Sequence, residues 1–476
     1  MVFSSLEFLF AFLPVTLGAY WLAPRRARNT VLLVASLAFY TWGGGAFVFA
    51  LLGVIAANFV LGFAVARRGD RSGERRRRWG VAAAVLVNMG LLAYFKYANF
   101  FVGQVDGLRG ALDLGSTDWA AVTLPIGISF FTFQAMSYTV DVARGTRVPL
   151  RNPIDFALYV ALFPQLIAGP IVRFHEISDQ LGNRRAGMDA FAEGAVRFTH
   201  GLVKKIVVAD AVAVVADAAF TTPPGELNAV TAWLGVTAYT LQIYFDFSGY
   251  SDMAIGLGRM FGFRFPENFA RPYSAVSVTD FWRRWHMTLS NWFRDYLFIP
   301  LGGSRDGAGR TYRNLWIVFL LTGLWHGAAW TFVAWGAYHG ALLVAERFME
   351  QRPTGSTNLV PLRRAATLLA VMVGWVLFRA ETLTGALGYL RAMVATGSLE
   401  IVPRVAEVLD VRVTLVLALA SLVVLLPRHL VLGPTLERAR GAAPAVARLA
   451  VLGLALPYAL LLMAGGSFSP FLYFRF

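Results

Sequence analysis

The sequence predicts an all-α, polytopic integral membrane protein, and three observations support this fold class: high apolar content, scarce charge and recurring apolar runs. Hydrophobic residues make up 57% of the 476-residue chain and charged residues only 15%, whereas soluble domains carry about 25% charged residues. A surface that faces water needs more charge than this, but a surface that faces lipid needs very little. We therefore expect a single transmembrane domain over residues 1–476 rather than several soluble domains.

Twelve apolar runs are candidates for membrane helices, since a helix needs about 20 residues to cross the hydrocarbon core. We expect about 11 spans, with an uncertainty of two, together with re-entrant or interfacial helices. Pro125, Pro164 and Pro170 interrupt some runs, and broken helices are tolerated at membrane depth only where protein or water covers them. The runs are residues 1–22, 30–42, 46–66, 81–95, 122–140, 155–171, 198–220, 230–244, 315–335, 366–378, 413–426 and 445–463.

The charge distribution predicts the topology of the chain. The net charge is +15, and two basic loops, one with Arg25, Arg26 and Arg28 and one over residues 67–78, are separated by two predicted crossings. Both loops therefore fall on one side, which the positive-inside rule makes cytoplasmic, with the N-terminus outside. The arginines are expected to anchor the protein to lipid headgroups. We expect no nucleic-acid partner, because the charges are scattered between apolar runs.

Several classes of chemistry are excluded or disfavoured by missing motifs. The chain has no cysteine, so disulfides, iron–sulfur clusters, thiolate zinc sites and cysteine nucleophiles are ruled out. None of its three lysines lies in a phosphate-binding G-K-[ST] context, and no G-x-S-x-G elbow occurs. His286, His326 and His339 lack the H-E-x-x-H spacing of a zinc site. We expect no metal and no tightly bound cofactor.

His326 is the first candidate catalytic residue, because it lies inside an apolar run with no charged residue within ten positions on either side. An ionisable side chain within a membrane segment indicates function by default, although a buried histidine with a structural role remains the alternative. Imidazole exchanges protons near neutral pH, which suits general acid–base catalysis. The small residues Gly323 and Gly327 are expected to let another helix or a substrate approach closely.

A second candidate region, residues 281–296, combines aromatic and cationic side chains at a density that suits neither a lipid-facing helix nor an ordinary loop. We expect it to lie in or near the interface, with aromatic rings at headgroup level and arginines paired inward. It is either an amphipathic anchor or the lining of a polar cavity that holds His286. The candidate cavity-lining residues are Arg284, Trp285, Asn291, Trp292, Arg294, Asp295 and, from the His326 region, Trp325.

Three pieces of the sequence follow one another along the chain: the run from Phe163 to Pro170, the pair Trp285-His286, and Leu324-Trp325-His326-Gly327. Together, in this order, they resemble the membrane-bound O-acyltransferase (MBOAT) family. The opening residues 1–42 and the final residues 466–476 are also similar, so the resemblance covers essentially the whole chain. It is closest to the bacterial branch that modifies exported polymers.

The resemblance implies a ring of tilted helices around a thin centre, where a funnel from each membrane face meets near the signature histidine. It implies that His326 is the catalytic histidine and His286 the second signature histidine. It also implies a bacterial inner-membrane enzyme that takes an acyl group, which we expect to be acetyl, from cytoplasmic acetyl-CoA or a carrier thioester. The acceptor would be a hydroxyl of an extracytoplasmic polysaccharide such as alginate, reached with an SGNH-type partner protein.

Two alternatives stay open at the level of the sequence. A lipid or protein acyltransferase would share the same fold and the same histidines. A secondary transporter would also contain broken helices and intramembrane charge, but transporters often show matched interrupted helices in two related halves, and no such repeat is visible here.

Overall fold

Helices supply the regular structure of the protein, because a backbone surrounded by lipid must satisfy its hydrogen bonds within each segment. The computed structural model describes residues 1–66, 71–350, 359–426, 441–466 and 471–472, and these ranges contain no β-strand. The all-α prediction is confirmed. The α-helices are α1 (Leu13–Leu22), α2 (Arg28–Gly44), α3 (Val48–Val65), α4 (Arg71–Ala111), α5 (Ile128–Arg144), α6 (Pro153–Ala161), α7 (Phe163–Leu166), α8 (Phe174–Asn183), α9 (Met188–Val203), α10 (Asp210–Phe220), α11 (Ala229–Met260), α12 (Val278–Trp282), α13 (Met287–Phe293), α14 (Ala308–His326), α15 (Trp330–Glu350), α16 (Val360–Arg379), α17 (Leu383–Met393), α18 (Pro403–Ala406), α19 (Val411–Leu425), α20 (Ala442–Ala450) and α21 (Leu456–Ala464).

Four helical stretches in the described ranges are both long and apolar enough to cross a bilayer. They are Arg28–Val65, Gly73–Ala111, Val360–Arg379 and Ala445–Ala464, and the shorter apolar helices Phe8–Leu22 and Val411–Leu425 accompany them. In α19, Leu415, Leu419 and Leu422 are each more than half exposed, as expected of side chains that face lipid. The protein is therefore a membrane protein, and the total of about 11 spans stays a prediction.

The basic stretch after the third apolar run differs from the expected loop. Arg75, Arg76, Arg77 and Arg78 lie in the first turns of the 41-residue helix α4, while residues 67–70 fall outside the described ranges. The Arg78 guanidinium donates to the Glu74 carboxylate at 2.6 Å, four residues earlier on the same helix. Such an exposed pair on a helix contributes only about 0.3–0.5 kcal/mol, so the arginines extend a helix rather than form a loop.

The chain divides into two compact units, the first formed by residues 1–194 and 254–266. In this unit a buried amide pair joins α3 to α4: Asn58 and Asn88 each donate to the other's side-chain oxygen at 3.1 and 3.0 Å. Thr139 of α5 also donates to Asn58, at 3.1 Å. Interhelical hydrogen bonds of this kind hold helices together in lipid, where apolar burial gives little preference for helix contact.

Prolines break the helices of the first unit where the sequence predicts breaks. α5 begins at Ile128, after Pro125, and Leu162 separates α6 from α7, which contains Pro164. Residues 167–173 have no regular structure but are buried inside the protein. The prediction that irregular backbone is covered by protein is confirmed for this segment.

The second unit is formed by residues 195–253 and 267–476, and buried ion pairs fix α11 within it. The Lys205 ammonium lies 2.8 Å from Asp210 and 2.9 Å from Asp246. The Asp252 carboxylate accepts from Arg197 at 2.6 Å and from Lys204 at 2.5 Å. Because every one of these charges has an opposite partner, the cost of burying it is offset. The division into two units does not test the predicted single domain over residues 1–476, which stays a prediction.

Candidate active site

His326 lies in the second unit at the C-terminal end of α14, and its side chain is enclosed by aromatic rings. The residue is 4% exposed. Its imidazole centroid is 4.9 Å from the ring centroid of Trp325, and 5.1 Å from the ring centroids of both Trp335 and Phe378. The single apolar run predicted over residues 315–335 is wrong in one respect, because α14 ends at His326 and α15 begins at Trp330. The His326 imidazole therefore lies at the end of a helix and not in the middle of a continuous helix.

Glycines explain why α14 and α15 meet closely enough to surround His326. A Cβ added at Gly323 would overlap the Phe332 carbonyl oxygen, and a Cβ added at Gly336 would overlap the Phe319 carbonyl oxygen. A Cβ at Gly327 would overlap the Phe332 ring. The expected close approach at Gly323 and Gly327 is confirmed, and the neighbour is α15.

His286 lies at a sharp turn between α12 and α13 and faces the same cluster of rings. It is 1% exposed and has a φ of 43°. This is the left-handed region of the backbone, which residues other than glycine adopt only at a cost in conformational energy. Its ring is 4.7 Å from the Phe247 ring and 6.1 Å from the Trp325 ring. Trp325 thus contacts both signature histidines, and the two candidates predicted from the sequence share one site.

The side chain of Asn268 fixes the orientation of His286. The Asn268 amide nitrogen donates to Ser251 Oγ at 3.0 Å, and its Oδ1 accepts from the Thr288 hydroxyl at 2.9 Å. His286 Nδ1 lies 3.0 Å from the same Oδ1. Because Oδ1 is an acceptor, Nδ1 must carry the proton, so a neutral His286 presents Nε2 as its acceptor nitrogen.

The aromatic candidates in residues 281–296 are buried in protein. Trp285 is 2% and Trp292 4% exposed, and Trp325 is 5% exposed. Burial in protein does not fix the depth of these rings in the membrane, so the expectation that aromatic rings of this stretch lie at headgroup level stays a prediction. Trp285 and Trp292 pack against other residues of the second unit.

The polar candidates in the same stretch form local pairs. The Arg284 guanidinium donates to Asp280 at 2.7 Å across one helical turn. The Arg294 guanidinium donates to the adjacent Asp295 at 2.7 Å, and the Arg294 side chain is 55% exposed. Asn291 is partly buried within α13. Both arginines are paired as predicted, but Arg294 does not face inward, because its side chain is more than half exposed. A role for Arg284, Asn291, Arg294 and Asp295 in lining a cavity stays a prediction.

The structure adds site residues that sequence reasoning did not single out. Asn268 lies 18 positions before His286, in an unremarkable loop sequence, and no motif marks it. Trp335 and Phe378 lie on α15 and α16, and only tertiary packing brings them to His326. One sequence signal was available for Trp335, because it lies within a predicted span. Tryptophan in membrane helices is enriched at the membrane interfaces, so a tryptophan inside a span is a candidate for a special role.

The C-terminal part of the chain returns to α11 next to this cluster. The Leu472 backbone N–H donates to the Asp246 carboxylate at 2.7 Å. The Phe471 ring stacks on Tyr250 with centroids 4.6 Å apart and lies 6.0 Å from Phe247. Because Phe247 also contacts His286, residues 471–472 help to enclose the His286 side of the site.

This arrangement suits proton transfer and acyl transfer better than metal chemistry. Two buried imidazoles, one of them with an assigned acceptor nitrogen, both lie near the Trp325 ring in a site rich in aromatic rings. Within the described ranges no three His, Asp or Glu side chains group closely enough to hold a metal ion. A protein environment of this kind excludes water and holds reacting groups in fixed positions.

Comparison with known proteins assigns the family. The model of the membrane-bound O-acyltransferase family matches residues 126–386, which is more than half of the chain. The probable alginate O-acetylase of Pseudomonas putida is 50% identical over 399 residues, which cover 83% of this chain and 81% of that protein. A peptidoglycan O-acetyltransferase of Helicobacter pylori is 36% identical and covers 83% of this chain and 80% of its own length.

A more distant relative is named for the transfer of a different acyl group. The teichoic acid D-alanyltransferase of Bacillus subtilis is 27% identical over 318 residues, which cover 61% of this chain and 79% of that protein. All three signature pieces of the sequence, including both histidines, lie within the residues that the family model matches. The chain belongs to the membrane-bound O-acyltransferase family and is an O-acyltransferase.

Proposed function

We propose that the enzyme transfers acetyl groups to hydroxyls of an extracytoplasmic polysaccharide, and that alginate is the acceptor. The relatives at about 50% identity are named for alginate, and the Helicobacter pylori relative is named for another glycan, peptidoglycan. Both names specify O-acetylation. The D-alanyl group belongs to a relative at only 27% identity, so acetyl is the better-supported acyl group.

The observation that carries the mechanism is the buried imidazole of His326 at the end of α14. We assign it as the general base that takes the proton from an acceptor hydroxyl. The hydroxyl oxygen then attacks the acyl carbon of the thioester, the carbon–sulfur bond breaks, and the proton passes from His326 to the departing thiol. The C-terminal end of a helix carries a partial negative charge, which stabilises the imidazolium formed in between.

His286 acts as a positioning residue for the donor. Its Nδ1–H is held by Asn268, so its Nε2 can accept a hydrogen bond from an N–H group of the donor or from the acceptor hydroxyl. Trp325 contacts both histidines, and Trp285 and Trp292 line the same site in this proposal. Arg284, Asn291, Arg294 and Asp295 line its polar margin in this proposal.

The donor is a cytoplasmic thioester, either acetyl-CoA or an acetylated carrier, and no tightly bound cofactor is required. A thioester already supplies an activated acyl group and a good leaving group, so the enzyme needs only to position it and move one proton. An SGNH-type partner outside the membrane completes delivery to the polysaccharide.

We further propose the arrangement of the chain in the bacterial inner membrane. About 11 spans, with an uncertainty of two, surround a central funnel at which the two membrane faces approach each other. The arginines at positions 25, 26, 28 and 75–78 lie on the cytoplasmic side, where anionic lipid attracts them, and the N-terminus lies outside.

The polysaccharide assignment is tested in cells from which the gene for this chain has been deleted and then restored on a plasmid. Cells receive labelled acetate, and label is measured separately in lipid, protein and secreted glycan. We expect restoration to return ester-linked label to the glycan fraction. Label that returns to lipid alone, or to protein alone with an unacetylated glycan, would overturn the polysaccharide assignment.

A further inference from the structure

Three buried side chains beside His326 form a triangle of rings with polar nitrogens. The rings of Trp282 and His339 are 5.2 Å apart, those of Trp335 and His339 5.0 Å, and those of Trp282 and Trp335 5.6 Å. His339 and Trp335 are completely buried, and Trp282 is 8% exposed. This group, Trp282, Trp335 and His339, is called the ring triangle below.

The nitrogens of the ring triangle make no hydrogen bond to any described residue. They are Nε1 of Trp282, Nε1 of Trp335 and both ring nitrogens of His339. Buried polar atoms are nearly always hydrogen-bonded, and leaving them without a partner is unfavourable. Four such atoms on three mutually contacting side chains therefore indicate a place where a ligand group binds.

The chemistry of these atoms defines the ligand group. Two indole N–H groups and one imidazole N–H are donors, and a neutral imidazole adds a single acceptor. No ion pair among the described residues involves any of the three, so an anion buried here would lack a cation. A neutral oxygen with two lone pairs, such as the carbonyl oxygen of an acyl group, fits this set.

The ring triangle adjoins the proposed general base. The Trp335 ring contacts both His339 and His326, with ring centroids 5.0 and 5.1 Å away. A carbonyl group bound by the ring triangle would therefore lie beside a residue that also contacts His326.

A glycine on α16 packs directly against the His339 ring. A Cβ added at Gly374 would lie 2.7 Å from His339 Nε2 and 3.4 Å from its Cε1. Contacts this short are not tolerated, so any larger residue at position 374 would cover the nitrogen or displace the ring. The glycine therefore lets α16 pack against His339 while the ring keeps its position.

We propose that Trp282, Trp335 and His339 form a subsite that binds the carbonyl oxygen of the donor's acyl group next to His326. The proposal rests on the proposed function, because it takes a thioester as the donor. It assigns His339, which has no part in the mechanism above, as a residue that contacts the substrate.

The test compares the binding of two unreactive donor analogues to the purified full-length protein. Acetonyl-CoA retains a carbonyl group, and S-isobutyl-CoA has the same branched shape with a methyl group in place of the oxygen. We expect wild-type protein to bind acetonyl-CoA about tenfold more tightly, since neutral hydrogen bonds to one oxygen supply a preference of that order. His339→Phe removes both imidazole nitrogens but keeps a ring, and should lower the preference well below tenfold, although the two indole N–H donors remain.

Two further variants separate the subsite from general packing. Gly374→Ala keeps every polar side chain but pushes the His339 ring out of its position, and it should also lower the preference. Trp375→Phe is the matched control: its Nε1 already donates to Tyr273 Oη at 3.1 Å, although its ring lies 6.4 Å from that of Trp335. This control should keep the tenfold preference.

Each other outcome contradicts the proposal in a distinguishable way. Equal wild-type affinities would mean that the ring triangle holds water instead of a carbonyl group, while the donor class would stand. A preference that survives both His339→Phe and Gly374→Ala, or one that Trp375→Phe also abolishes, would remove the ring triangle as the binding group. Failure of wild-type protein to bind either analogue would overturn the coenzyme A donor of the proposed function and this inference with it.

Discussion

The two signature histidines are held in the protein by different means. His326 is placed by a helix end and by the glycines that bring α15 against α14, whereas His286 is placed by a left-handed turn and a hydrogen bond from Nδ1 to Asn268. The sequence pattern identified both histidines because each lies within a recognisable motif. It did not identify Asn268, since a contact across 18 residues depends on how the intervening loop folds.

The role of Asn268 predicts a graded effect on activity. Asn268→Ala removes the acceptor for His286 Nδ1–H and leaves the imidazole without a fixed tautomer. We expect acyl transfer to fall about 10–100-fold, which corresponds to the cost of about 1–3 kcal/mol for a lost buried hydrogen bond. Ser251→Ala removes the hydrogen bond that holds Asn268 and not the one that holds His286, so it should lower activity less than Asn268→Ala does. Asn268→Asp keeps an acceptor oxygen for His286 and should retain part of the activity. Steady-state rates with purified protein provide the measurement, and an Asn268→Ala enzyme with wild-type turnover would contradict the assignment.

At the scale of elements, apolar runs predicted where helices occur but not where they end. Residues 315–335 read as one run because a break of three small residues, Gly327 to Ala329, contains no charge or proline. Gly327, which follows the end of α14, lies against the Phe332 ring of α15, a tertiary contact that the apolar pattern does not reveal. The proline breaks around α6 and α7 were predictable, because proline removes a backbone donor and clashes with the preceding turn.

The close contact of α14 and α15 predicts which glycine can be replaced. Gly336→Ala places a methyl group against the Phe319 carbonyl oxygen, so the helices must separate, at a cost of about 1–3 kcal/mol. Gly309→Ala is the matched control on α14, because no atom lies within 4 Å of its added Cβ, and alanine favours the helix by up to about 1 kcal/mol. Thermal unfolding in detergent should show a lower midpoint for Gly336→Ala and an unchanged or higher midpoint for Gly309→Ala. The reverse order would show that this contact does not hold the two helices together.

At the scale of the whole molecule, composition alone predicted a membrane protein and an all-helical chain. Low charge content is a property of the entire lipid-facing surface, so the prediction of a membrane protein does not depend on the exact boundaries of individual helices. The number of crossings is harder to predict, because only four stretches of the described chain meet both the length and the apolarity expected of a span. Helices covered by protein on all sides need not be continuously apolar, and they are invisible to such a criterion.

The proposed orientation predicts which loops a membrane-impermeant thiol reagent can reach. Because the chain has no cysteine, a single introduced cysteine gives a signal without background. Pro24→Cys, beside the first arginine group, should react only after the cells are permeabilised. Ser116→Cys, which follows α4 and is exposed, should react in intact spheroplasts. The opposite labelling pattern would place the N-terminus in the cytoplasm.

The central claim is that the buried imidazole of His326 carries out acyl transfer. The most direct test is the acetyl content of secreted polysaccharide from deletion cells that express His326→Ala, with membrane levels of the protein matched to wild type. Loss of a general base typically lowers the rate about 10²–10⁴-fold, so the account predicts polysaccharide without detectable acetyl ester. Wild-type acetyl content in cells that contain only the His326→Ala protein would contradict it.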